Sequence, residues 1–134
     1  MATSIDARDR DVQRTFQEAL AIARGATTVT LDEIESSLWT ALLALGRALI
    51  ALDLARVVAR PRPVDDVHGG AKFVLSETVT SDLGTRFGKA RFARPVGRRV
   101  GWRRATCDRP LDRALGLGSG FSLATVLSVT RLCA

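Results

Sequence analysis

The sequence predicts an α+β fold: N-terminal helices including one long amphipathic helix, a small antiparallel β-sheet and a C-terminal helix. Three observations predict it. Apolar residues recur at helical spacing through most of the first 60 positions, short Val-, Thr- and Phe-containing runs follow Pro61, and a Ser-led apolar run returns at Ser122. The 134 residues suffice for one modest core. With 46% hydrophobic and 25% charged residues, the composition is globular rather than wholly disordered. The chain divides into a helical oligomerisation or packing region, 1–60, a small basic β region, 61–121, and the start of a further helix, 122–134.

Residues 6–24 fit an amphipathic helix, with Val12, Phe16, Leu20 and Ala23 on one side and Arg8, Asp9, Arg10, Asp11 and Arg14 on the other. Gly25 supplies a stop, and 26–29 form a linker. Thr30 and Glu33 then make a capping-box pattern, opening a long helix that Pro61 and Pro63 end near Arg60. Its stripe is Leu38, Leu42, Leu45, Leu49 and Leu52, a heptad seam broken at Arg56. Trp39, Leu43, Ile50, Leu54 and Val57 widen the apolar face. Such a face suits packing within the chain or a homo-oligomer through the 31–60 helix.

Residues 60–70 read as a loop. Strands are expected at 72–75, 77–80 and 86–94, with a turn at Val96-Gly97 after Pro95 and a return strand over 98–106. On that return strand Arg98, Val100, Trp102 and Arg104 share a face; Trp102 is either core or a stacking platform between arginines. Residues 109–121 are turn-rich. Ser122 caps a final helix with Leu123, Val126, Leu127 and Thr130 on one side. It meets no stop signal before Ala134, so a piece of a longer protein is the expectation.

Charge is unevenly spread. The formal net charge is +6. Residues 1–60 carry seven basic and eight acidic groups, and 61–85 carry two and four; 86–113 carry ten and two. From Arg86 to Cys107 there are eight basic residues and no acid: Arg86, Lys89, Arg91, Arg94, Arg98, Arg99, Arg103 and Arg104. These eight are the candidate nucleic-acid-binding residues. The same block also fits a solvated basic face, or an acidic protein or lipid partner.

Candidates for chemistry are few. His68 precedes a Gly pair and has no partner at metal spacing. Cys107 lies among Arg103, Arg104 and Arg109, surroundings that favour a thiolate, but His68 is its one candidate base. Asp108 and Asp112 alternate with Arg109 and Arg113, which suits a salt-bridged turn better than a metal pair. The glycines of Gly116-Leu117-Gly118-Ser119-Gly120 lack the lysine of a phosphate-binding loop. No catalytic residue, metal, cofactor or small-molecule substrate is therefore expected. No run reaches the ~18 uncharged apolar residues of a membrane span, so the expectation is a cytoplasmic protein with no membrane partner and reduced thiols.

The order of motifs resembles the N-terminal region of bacterial insertion-sequence transposases of the ISKra-four type. The resemblance rests on Phe87-Gly88-Lys89-Ala90-Arg91, on the box Pro110-Leu111-Asp112-Arg113-Ala114-Leu115-Gly116-Leu117, and on Phe121-Ser122 opening a helix; it covers roughly 30–134. It implies a truncated, DNA-binding and subunit-contacting piece of a DDE-type enzyme that acts on element ends. The family's ribonuclease-H-like catalytic domain, with its metal-binding carboxylates, has no counterpart here. Many relatives carry cysteine pairs in the second basic strand; this chain has only Cys107 there, a vestigial ligand at most. The alternatives are a stand-alone helical interaction or dimerisation module, or a non-functional truncated remnant.

Overall fold

The computed structural model describes residues 4–25, 30–61, 65–101 and 107–117. Over these the fold class is α+β. Helices α1 (Ser4–Gly25) and α2 (Leu31–Ala59) precede strands β1 (Asp65–His68), β2 (Ala71–Thr85), β3 (Gly88–Arg99) and β4 (Cys107–Asp108), and a short helix α3 (Pro110–Ala114) ends the series. The strands form one antiparallel sheet in the order β1-β2-β3-β4.

The start of α2 follows from its first four residues. The Thr30 hydroxyl accepts from the Glu33 amide at 3.3 Å, and the Glu33 carboxylate accepts from the Thr30 amide at 3.1 Å. Two amides that a helix start leaves without partners are thereby satisfied. At the far end Arg60 is extended, as a residue before proline prefers.

Helices α1 and α2 run antiparallel, with Ser4 and Ile5 beside Ala55 and Ala59. The inner stripe of α1 differs from the sequence expectation. Thr15 is buried, whereas Phe16 is 48% exposed. Opposite α1 stand Ala44, Ala48 and Ala51. Small residues on both sides let the axes close, and a phenylalanine there would hold them apart. The heptad seam of α2 also divides. Leu52 is buried but Leu42 is 51% exposed, because α2 packs on α1 and β3 through Ala48, Ala51, Leu52 and Leu54.

The core joins three layers of sequence. Leu54 of α2, Leu83 of β2, Ala90 and Phe92 of β3 and Leu111 of α3 form its centre, flanked by Ile50, Val57, Val58, Leu115 and Leu117. Leu111 is only 2% exposed; burying a leucine is worth about 1.5–3 kcal/mol.

The sheet departs from expectation at four places. Residues 65–68, read as loop, form β1, joined to β2 by Gly69 and Gly70 at φ 57° and 76°. Two successive left-handed residues make the hairpin turn that matches strand twist. The two strands expected at 72–75 and 77–80 are one strand with a bulge between Leu75 and Glu77, continuing to Thr85. Arg86 and Phe87 form a turn rather than beginning a strand. Finally, β3 passes straight through Pro95, Val96 and Gly97, the expected turn.

Among the described residues β4 pairs with β3 at Gly97 and Arg98 and none pairs with β3 on that side at Pro95, the edge setting in which a strand proline is tolerated. Gly97 is small for packing rather than for turning: a Cβ would sit 3.0 Å from Phe73 Cβ and 3.1 Å from Leu75 Cδ2. The turn comes later, at Val100 and Gly101, with Gly101 at φ 82°. Trp102, Arg103, Arg104, Cys133 and the helix expected from Ser122 lie outside the described residues. Within the turn-rich stretch, Pro110 opens α3, a position where its missing N–H costs nothing.

Candidate nucleic-acid interface

The β2–β3 hairpin carries the basic block, and its tip is fixed from two sides. The Thr85 hydroxyl donates to the Gly88 carbonyl at 2.7 Å and accepts from the Phe87 amide at 3.2 Å. From α2, Arg47 Nη1 donates to the Phe87 carbonyl at 2.8 Å. Phe87 lies against Gly46, where a Cβ would stand 2.2 Å from its ring. The turn that presents Arg86 is thus seated in a notch of α2. Arg47 carries no signature in the sequence, since no local pattern links it to a residue forty positions on.

The six described candidates fall into different settings. Arg86, Lys89, Arg91 and Arg98 are exposed, and Arg99 is half-buried. Arg91 faces Asp82 across the hairpin at 3.8 Å, and Arg98 faces Glu77 at 2.6 Å. Exposed pairs of this kind are worth about 0–1 kcal/mol, so they dampen the local field without cancelling it. Glu77 and Asp82 are the acids between Ala71 and Arg99, against seven basic residues.

Arg94 is a correction. It is 8% exposed and its Nη1 donates to Asp112 Oδ2 at 2.6 Å. Its guanidinium carbon lies 5.8 Å from the centre of the Phe92 ring. The reason is strand phase: Ala90, Phe92, Arg94 and Val96 are all buried on β3, and alternate residues share a face. The apolar alternation of Ala90, Phe92 and Val96 carries that signal in the sequence. Arg94 holds α3 to the sheet and does not reach solvent as a phosphate ligand would.

Asp108 and Asp112 are also placed. Asp108 pairs with Arg113, and Asp112 with Arg94. Among the described residues no group of three or more His, Cys, Asp or Glu is arranged to hold a metal ion. No helix among them is long and apolar enough to cross a membrane. No family model, curated protein or solved structure matches the chain. The functional reading therefore stands on this hairpin and its charges.

Proposed function

We propose that the chain is a DNA-binding, subunit-contacting module without catalytic activity of its own, the part of a transposase that holds element ends. The observation that supports it is the exposed set Arg86, Lys89, Arg91 and Arg98 on a hairpin fixed against α2. The transposase assignment adds the motif order around Phe87-Gly88 and Pro110-Leu111-Asp112. A hairpin whose tip is already fixed loses little backbone freedom on meeting phosphates, which favours binding.

The test is duplex binding followed against salt. Neutralising four to six phosphates gives a slope of log K against log salt of roughly −4 to −5. Replacing Arg86 and Arg98 by Gln should make that slope shallower by about 2. The paired exchange Arg94→Met with Asp112→Leu should leave it unchanged, because Arg94 is buried. Absence of binding at low salt would refute the reading.

A second reading has its own observation. Leu31, Trp39, Leu42 and Leu49 are exposed along α2, as a helical self-association module requires.

A further inference from the structure

The basic residues of the strand meet a second set that the charge count conceals. Residues 1–60 hold seven basic and eight acidic groups, yet three of those arginines border a cleft beside β3. Arg8 and Arg14 of α1, Arg47 of α2, and Lys89 and Arg91 of β3 line one cleft of about 250 Å³, with Asp11 as the acid among them. Thr15, Ala48 and Ala90, all buried, also line it. Five basic residues from three elements thus border one small concavity.

Local contacts use part of this charge. Arg14 bonds Asp11 at 2.5 Å and Glu18 at 2.7 Å, and these hydrogen bonds, Asp11's first, push its guanidinium above its ordinary pKa. Arg47 is anchored on the Phe87 carbonyl, and Arg91 has Asp82 at 3.8 Å. Among the described residues no carboxylate pairs with Arg8 or Lys89. The residues bordering the cleft carry a positive surplus, and two of them, Arg8 and Lys89, have no carboxylate partner among the described residues.

The geometry points to a phosphate-binding site in this cleft between α1, α2 and β3. Size and shape argue for a phosphate group. The cleft is smaller than the roughly 300–1,000 Å³ of a drug- or cofactor-sized pocket, so it suits a single group rather than a whole nucleotide. A carboxylate is planar and takes one or two forks. A phosphate accepts around a tetrahedron, which suits guanidinium and ammonium groups arriving from three elements. The group comes either from a nucleic-acid backbone, in which case the inference rests on the DNA-binding reading and carries the footprint onto the helices, or from a free phosphate compound.

The experiment uses the full chain, isotopically labelled, titrated with inorganic phosphate and separately with chloride at matched ionic strength. Saturable amide shifts near Arg8–Thr15, Ala44–Ala48 and Lys89–Arg91 are expected with phosphate and not with chloride. The double variant Arg8→Gln/Lys89→Gln should weaken phosphate binding at least tenfold. The charge-matched control Arg10→Gln/Arg24→Gln, on exposed positions of α1, should stay within twofold of the parent. Equal responses to phosphate and chloride, or equal weakening in both variants, would overturn the site. Adding a DNA duplex separates the sources. Displacement of phosphate by the duplex supports a backbone phosphate. Saturable phosphate binding that the duplex does not displace supports a free phosphate compound, and then it is the DNA-binding reading that loses its support.

Discussion

The Arg94–Asp112 pair shows how one residue can be basic in sequence and structural in place. Both side chains are largely buried, at 10% and 16% exposure. Arg94 Nε and Asp112 Oδ1 are buried without a hydrogen-bond partner. A pair that is desolvated and only partly satisfied adds little net stability, but removing one member strands the other charge. Asp112→Ala should therefore cost about 3–5 kcal/mol, read as a lower urea midpoint. The double exchange Arg94→Met/Asp112→Leu should recover most of that loss, since apolar replacements of similar volume are often neutral or stabilising. If the single and double variants melted alike, the loss would come from α3 itself rather than from the stranded arginine.

At the scale of elements, the contact that seats the hairpin on α2 is Phe87 against Gly46. A glycine inside a helix costs about 1 kcal/mol relative to alanine, so Gly46→Ala would stabilise an isolated α2. Here the added methyl meets the Phe87 ring, and overpacking costs about 1–3 kcal/mol. Gly46→Ala is expected to destabilise the protein, and Gly46→Ala/Phe87→Ala to be more stable than the two single effects would sum to. A double-mutant cycle by denaturant titration measures this; additivity within about 0.5 kcal/mol would show that the ring simply swings away. The same contact marks where sequence reading stops. The capping box at Thr30 and Glu33 and the stop at Pro61 are local chemistry, and α2 begins and ends where they place it. The bulge between Leu75 and Glu77 reads in the sequence as the end of one strand and the start of another, because a single polar residue there breaks the alternation. Gly97 and Pro95 misled because their turn-like identities serve an edge strand and a close contact. Arg47 and Gly46 had no local signature at all, since their meaning depends on a hairpin tip forty residues away. For the candidate interface, the charge block overlaps β3, but the expected start at Arg86 and the expected turn at Val96-Gly97 both misplace that strand's bounds. Its inward and outward faces needed the phase set by Phe92.

For the whole molecule, net charge and apolar exposure pull in opposite directions, and salt separates them. The chain carries +6, so two copies repel each other. Yet α2 exposes Trp39 at 65% and Leu42 at 51%, and Leu49 one heptad beyond Leu42 is also exposed. These residues lie toward the part of α2 that precedes the core contacts of Ile50, Leu54 and Val57. Pairing two such faces would bury apolar area that the fold leaves in water. Reversible self-association is therefore expected by sedimentation equilibrium. Leu42→Gln/Leu49→Gln should weaken it at least tenfold without unfolding the chain, because both side chains already face solvent. Its salt dependence should run opposite to that of DNA binding. Raising salt from about 0.05 to 0.5 M shortens the range of charge repulsion to a few ångströms and so strengthens the pairing. Over the same range counterion release weakens any hold on phosphates. An association that weakens with salt would point to charge pairs rather than the leucine face, and a mass independent of concentration would remove the helical self-association module altogether.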